Sequence, residues 1–320
     1  MEMKRLLINL NLFIVFLISC SDSGGNRAEQ SVLPTPEVKY VPGETLSDID
    51  NYIQYFVGNT PIIITVPHDG TQTPSSIPTR SGEGTRAENT LGIAEYFKNV
   101  FISGKNNLYP HIIINNIDRS KLDPDATQAV GAQNSYANTY YNRYHNYIQA
   151  AIDSTEEYFN QGILVNLVGH NDENQKIELG YLISKNDLNQ SDESFSNSNI
   201  QTSINSIADI SSSSLAEVIR GFDSIGSKIM SLNCCKPIYY TFDVTPSTDF
   251  PVPDNENYNP GGYTVLTYGS INSDSKIASI EMSTPYLNHR DSPYAFIAIG
   301  TMLVESLEYF YTQNTGSLDW

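Results

Sequence analysis

Short apolar runs bounded by turn residues recur along the chain, at 62–66, 112–114, 163–168, 177–184, 238–242, 264–267 and 277–282. Most are short and rich in Ile and Val, as strands buried on both faces are. Helical spacing fills several of the gaps between them. Residues 88–101 place Leu91, Ala94, Tyr96, Phe97, Val100 and Phe101 on one face, and 135–159 do the same with Tyr140, Tyr144, Tyr147, Ile148, Ala151, Ile152 and Phe159. Segments 215–232 and 294–311 complete the helical set. Strands alternating with helices predict an α/β fold: one three-layer domain with a mixed, partly parallel sheet covered on both faces. The polar stretch from Asn189 to Ser214 breaks the alternation and reads as a long surface loop leading into a helix.

The ends add a location. Met1-Glu2-Met3-Lys4-Arg5, an apolar stretch over 6–18 and the small residue Ser19 describe a secretory signal over residues 1–19, too short for a spanning helix. Leu17-Ile18-Ser19-Cys20 matches the bacterial lipobox, in which the cysteine becomes the lipidated first residue; an ordinary signal with a chance cysteine is the alternative. Residues 20–42, with Gly24, Gly25, Pro34, Pro36 and Pro42, read as a lipidated N-terminus and flexible tether. The catalytic domain is then 43–320, and the expected location is the cell envelope, anchored by lipid alone. The whole chain carries a net charge of −18, and cleavage before Cys20 makes it one unit more acidic by removing Glu2, Lys4 and Arg5. Such a surface argues against nucleic acid or anionic lipid as a charge-driven partner. Beyond Cys20 only the adjacent Cys234 and Cys235 remain, as a strained vicinal disulfide or as two thiols, and no Cys-x-x-Cys zinc cluster exists.

Candidate chemistry sits where apolar runs end. His68 closes Ile62-Ile63-Ile64-Thr65-Val66-Pro67, and His170 closes 163–168 after Gly169. Carboxyl ends of strands in an open α/β sheet are where ligands sit. Two histidines and a carboxylate with an open fourth position are a common catalytic zinc set. Glu88, at the start of a helix, is the third-ligand candidate, with Glu83 and Asp69 as rivals; a glutamate there also simply complements the helix dipole. Arg119, just past a strand and beside Asp118, suits bidentate binding of a substrate carboxylate, with an internal ion pair to Asp118 or Asp123 as the alternative. Glu281 lies inside an apolar strand, where burial raises a carboxyl pKa and suits it to general-base work; a solvent-facing edge strand is the other option. No nucleotide-binding Gly-rich loop and no Gly-x-Ser-x-Gly elbow is present.

Taken in order, these segments resemble the N-formylglutamate amidohydrolase family of zinc carboxypeptidase-like hydrolases. Val66-Pro67-His68-Asp69-Gly70 resembles its P-H-S-G turn, Thr85-Arg86-Ala87-Glu88-Asn89 its R-x-x-E-D helix start with the arginine shifted by one residue, and Asn115-Asn116-Ile117-Asp118-Arg119 its V-D-L-N-R. Asn166-Leu167-Val168-Gly169-His170, then Glu178-Leu179-Gly180-Tyr181-Leu182, resemble D-L-H-G-H followed by E-L-G-Y-L. Tyr144-His145 is similar to a Tyr-His pair in the family's central helix, and Ile280-Glu281 to its C-terminal strand. The resemblance implies Zn²⁺ on His68, Glu88 and His170, substrate contacts from Arg119, Asp118 and His145, and catalysis by Glu281 with help from Arg86. It further implies that Asn166, beside the ligand strand, orients a metal ligand. Three positions depart from the pattern: Asn166 for Asp, Val168 for His and Asp118 for Asn. The expected activity is hydrolysis of an amide next to a carboxylate, in an N-acyl amino acid or peptide. A non-catalytic surface lipoprotein binding a peptide or glycan on the same fold is the alternative, and a hydrolase of esters on the same scaffold is a third option.

Overall fold

The Ile- and Val-rich runs become the middle of an eight-stranded sheet in the computed structural model, which describes residues 40–316 except 83, 172–174, 235–239, 255–256 and 272–273. Its strands are β1 (Thr45–Ser47), β2 (Ile53–Phe56), β3 (Ile62–Val66), β4 (His111–Asn115), β5 (Gly162–His170), β6 (Ile177–Gly180), β7 (Val244–Thr245) and β8 (Ile277–Pro285). They lie in the order β1-β2-β4-β3-β5-β8-β6-β7. The central four, β4-β3-β5-β8, are parallel, so their carboxyl ends share one edge. β2 and β6 flank them antiparallel, and β1 and β7 close the two sides. Mixed pairing with both faces covered is the expected α/β, three-layer arrangement.

The helices are α1 (Thr90–Gly104), α2 (Gln128–Gly131), α3 (Ser135–Tyr158), α4 (Lys185–Leu188), α5 (Asp192–Asn197), α6 (Asn205–Ala208), α7 (Leu215–Arg220), α8 (Ile225–Ser231), α9 (Tyr263–Tyr268) and α10 (Pro293–Thr315). One face of the sheet packs on α1 and α10, where Ile64, Val165, Ile280 and Met282 meet Ile93, Phe97, Met302 and Leu303. The other packs on α3, where Ile63, Leu164 and Ile277 meet Tyr144, Ile148 and Ala151. Side chains alternate between the faces along each strand, so each interior strand feeds both cores. No helix among the described residues is long and apolar enough to cross a membrane.

Several expectations are corrected. Residues 264–267, a β-branched run, fall in helix α9, whose first turn is held by the Asp125 carboxylate accepting from Thr264 N–H at 2.8 Å; a tertiary contact overrides local preference here. The strand expected over 177–184 stops at Gly180, because Leu182 takes a positive φ of 59° and donates its N–H to the Pro260 carbonyl. Segment 215–232 is two helices broken at Gly221. The stretch 189–214 contains α5 and α6, whose Phe195 and Ile207 are buried in the first core. Phe242 pairs its backbone with the Asn233 amide instead of joining a ladder, and residues 238 and 239 lie outside the described set. β1, β2 and β7, of three, four and two residues, are too short to stand out as apolar runs and are not among the expected strands.

His111, at the start of β4, is buried. Its Nδ1 accepts from the Tyr55 hydroxyl at 2.7 Å and from the Gly58 N–H at 3.1 Å, which leaves the ring proton on Nε2. Burial pushes the imidazole from 6.5 down to about 3. The ring is neutral in the fold but protonates near 6.5 when unfolded, so its contribution is complete above pH 6.5 and is lost as pH falls towards 3. By pH 5 that loss is about 2 kcal/mol. Urea midpoints are expected to fall between pH 6.5 and 5 in the wild type and to fall less in His111→Gln; parallel declines would show that another group titrates.

Candidate active site

The face of the sheet that packs on α3 turns polar towards the carboxyl edge. Strand register sets Thr65, Asn166 and Glu281 side by side on β3, β5 and β8. All three are buried, Glu281 to 1% exposure. The row has one hydrogen-bonding sense: Thr65 Oγ1 donates to Asn166 Oδ1 at 2.8 Å. Asn166 Nδ2 then donates to Asp125 Oδ2 at 3.1 Å and to Glu281 Oε2 at 3.4 Å. An aspartate in place of Asn166 would put a third carboxylate beside two others and remove their shared donor. The asparagine is thus matched to this site.

Two further segments complete the pair. Asp125, partly exposed, also accepts from Thr264 N–H at 2.8 Å. Glu281 accepts from Gly262 N–H at 2.7 Å and from the Asn259 amide. Gly262 allows this closeness, since a Cβ there would stand 2.6 Å from Asp125 Oδ2 and 2.6 Å from Glu281 Oε2. Burial, reinforced by the Asp125 charge, pushes the Glu281 carboxyl up to about 8. Asp125 is raised by burial as well, against a lowering effect of nearby His68. Two buried carboxylates that cannot both ionise cheaply share a proton at neutral pH.

Beside the pair lies a second cluster, built on Asp123. Its Oδ1 faces His68 Nε2 at 2.8 Å and accepts from Asp125 N–H at 3.1 Å. Its Oδ2 accepts from Arg80 Nη2 and Arg119 Nε, each at 3.0 Å. Burial opposes ionisation, but His68, then Arg119 and Arg80, hold this carboxyl well below the usual range. Between the two aspartates, Pro124 presents its carbonyl to His145 Nε2 at 3.1 Å, while His145 Nδ1 meets the Tyr268 hydroxyl at 2.7 Å. A carbonyl only accepts, so Nε2 carries the proton; burial, partly offset by this bond, lowers the ring to about 4. Neutral His145 therefore fixes the Asp123-Pro124-Asp125 backbone.

The remaining expected residues are placed elsewhere. Glu88 is 51% exposed at its side chain, with Oε1 3.7 Å from Arg86 Nη2. His170 Nε2 lies 3.2 Å from the Lys176 carbonyl. Asp118 accepts from the N–H and hydroxyl of Ser120, closing its own turn. Arg119 makes the internal pair with Asp123 and donates to the Thr85 carbonyl at 3.2 Å. Asp69 caps α1, accepting from Asn89 N–H at 3.0 Å and Leu91 N–H at 2.8 Å. Glu83, Cys20 and Cys235 lie outside the described residues.

No group of three or more His, Cys, Asp or Glu side chains that could hold a metal ion occurs among the described residues. His68, Glu88 and His170 are therefore not gathered as a zinc triad. As placed, the three side chains do not form the expected metal set; His68 Nε2 faces Asp123, and His170 Nε2 faces the Lys176 carbonyl.

Sequence reasoning missed Asp125, Arg80, Asn259, Gly262 and Arg290. Asp123-Pro124-Asp125 and Asn259-Pro260-Gly261-Gly262 were visible as turn-rich strings, without any sign that they converge. Arg290 gave no local signal at all. Buried, it donates Nε to the Thr284 carbonyl at 3.1 Å and Nη2 to the His170 carbonyl at 3.2 Å, and its Nη1 to the Glu88 carbonyl. Gly169 lets it lie against β5, since a Cβ there would meet Arg290 Cζ at 2.4 Å.

No protein-family model matches the chain, and no curated protein is similar to it. Among solved structures it is similar to N-formylglutamate amidohydrolase from Ralstonia eutropha JMP134, at 12% identity and a TM-score of 0.47, covering 80% of this chain and 95% of that one. A gene product of Agrobacterium tumefaciens is similar at 10% identity and a TM-score of 0.46, covering 80% and 90%. The CwlD amidase of Clostridioides difficile, solved in complex with the GerS lipoprotein, is similar at 13% identity and a TM-score of 0.34, covering 79% and 98%. These are likenesses of overall shape; the chemistry of this chain rests on its side chains.

The raised Glu281 carboxyl has a stability signature. Its folded pKa of about 8 lies above the ordinary 4.5. The contribution of the neutral acid is therefore complete below pH 4.5 and is lost as pH rises through 8. Thermal midpoints of Glu281→Gln are expected to decline less than those of wild type between pH 5 and 8; equal slopes would place the shared proton elsewhere.

Proposed function

We propose that this chain is an envelope-anchored hydrolase that cleaves an amide next to a carboxylate, with Asp125 and Glu281 handling the protons. The observation that carries this reading is the buried carboxylate pair sharing the Asn166 donor at the carboxyl edge of the parallel strands. A pair that retains one proton supplies a base and an acid together. The ionised member takes a proton from water as its oxygen bonds to the amide carbonyl carbon. The protonated member then gives its proton to the departing nitrogen as the C–N bond breaks. His68, steered by Asp123, lies close enough to Asp125 to lower its pKa and favours the ionised form there. The resemblance to the amidohydrolase family supports the amide and carboxylate parts of the substrate, and the lipobox supports the anchor.

A second reading, a non-catalytic lipoprotein binding a peptide or glycan, is favoured by one feature. Each carboxylate oxygen of the pair already accepts a donor from the chain, three of them from the 259–264 segment alone.

Hydrolysis of a panel of N-acyl amino acids and short peptides by the purified chain separates the two. Turnover that survives chelation and falls about 100-fold or more in Asp125→Asn and Glu281→Gln is expected. Turnover lost on chelation and restored by zinc would overturn the metal-free pair, and saturable binding without turnover would favour the second reading. For the anchor, Cys20→Ser is expected to move the chain from the membrane to the soluble fraction; an unchanged distribution would argue against lipidation.

A further inference from the structure

The turn between β1 and β2 holds an apolar side chain out in solvent. Asn51 donates its N–H to the Asp48 carbonyl at 3.1 Å and takes a positive φ of 55°, and its side chain accepts from the Ser47 hydroxyl at 2.6 Å. Asp48 closes the turn from within, accepting from Tyr52 N–H at 2.8 Å and Ile53 N–H at 3.1 Å. A turn fixed in this way keeps Ile49 at 98% exposure. Tyrosines surround it. The Tyr52 ring packs edge-on against Tyr140 of α3 at 4.9 Å, and Tyr136, 62% exposed, stands one turn earlier on the same helix face. Buried Tyr55 extends the group to Tyr147 and to Tyr40, with ring centroids at 5.3 and 5.8 Å. The charge here is modest for so acidic a chain. Asp48 is 7% exposed at its side chain and lies 3.8 Å from Arg143 Nη1, which leaves Glu44 and Asp50 as the exposed acids of segment 40–52.

We propose that this side of the domain, from Tyr40 across Ile49 to Tyr136, docks on a zwitterionic lipid surface. A ring that carries a hydroxyl favours the membrane–water interface, and an aliphatic side chain at a turn tip is suited to the acyl boundary beneath it. A net charge of −18 opposes anionic lipid, whereas choline ammonium groups suit both the tyrosine faces and the two exposed acids. The course of the chain places this side next to the bilayer. Residues 20–39 join Cys20, the expected lipid site, to Tyr40, and as a tether they reach about 25 Å. Strands spaced about 4.8 Å apart put roughly 34 Å between β1 and β7 on the two sides of the sheet. The tether is thus shorter than the sheet is wide. The inference rests on the lipid anchor of the proposed function, and adds to it a fixed orientation of the domain.

A single tryptophan reporter tests it, with the lipidated full chain in phosphatidylcholine vesicles and Trp320→Phe as the background. Ile49→Trp is expected to shift its emission to the blue and to lose about half of it to lipid brominated near the headgroup, since such faces lie about 5–10 Å into that boundary. Phe222→Trp is the control: Phe222 is 70% exposed and shares a cleft with Thr248 and Pro251, just past β7. It is expected to keep its emission. Adding Tyr40→Ser and Tyr136→Ser is expected to relieve the quenching at position 49, with circular dichroism checking that the fold is kept. A vesicle-bound chain in which position 49 is unquenched, or is quenched no more than position 222, would overturn the docking face and leave the anchor standing. Cys20→Ser that stays on the vesicles with position 49 quenched would remove the anchor and leave the face. A blue shift that grows with protein concentration and needs no lipid would assign the face to a second copy of the chain and overturn the inference.

Discussion

Two carboxylates buried against one another constrain everything around them. Glu281 sits in the body of β8 and Asp125 reaches it from the loop after β4, and neither has water enough to be charged without help. Removing a carboxylate from water is tolerated only where donors replace the lost hydration or a proton removes the charge. This site uses both. Asn166, Gly262, Asn259 and Thr264 supply donors, and the raised pKa of the pair keeps a proton. The row Thr65–Asn166–Glu281 has to fall in register across three parallel strands, the 259–264 segment has to descend over it, and residue 262 has to be glycine.

The Asp123 cluster solves the opposite problem. Here one buried carboxylate is surrounded by His68, Arg80 and Arg119, so its charge is kept and its pKa falls. Only one residue separates it from Asp125, whose pKa rises. Neighbours in sequence are thus driven apart in acidity by what surrounds them, which is how one loop presents a fixed anion and a titrating one together. His145 secures the arrangement by holding the carbonyl of the proline between them. Arg290 acts similarly at the other side of the edge, tying the Glu88 turn to the ends of β5 and β8 through carbonyls alone.

Much of the architecture was legible because burial on both faces of a sheet leaves a direct trace. The runs at 62–66, 112–114, 163–168 and 277–282 are the parallel core, and the periodicities over 88–101, 135–159 and 294–311 are α1, α3 and α10. What escaped was decided by contacts distant in the chain. The β-branched run at 264–267 is helical because Asp125 holds its first turn. β2 exists because β4 offers it a partner, and the edge strand β1 because β2 does. In the site, the position of Glu281 inside an apolar strand was readable, since an acid there needs a reason. His68 was readable as a strand-end histidine, but its partner Asp123, fifty-five positions away, was not.

By itself, then, the amino-acid sequence determined the α/β alternation, the strands of the parallel core and the edge on which polar groups gather. Those depend on local periodicity and on the burial of apolar side chains, which each segment carries within itself. Only the tertiary structure decided which polar groups meet. The pairing of Asp125 with Glu281 and the four donors on Asp123 are distances between segments set by strand order and register, and charge acts through those distances and through local burial, not through separation along the chain.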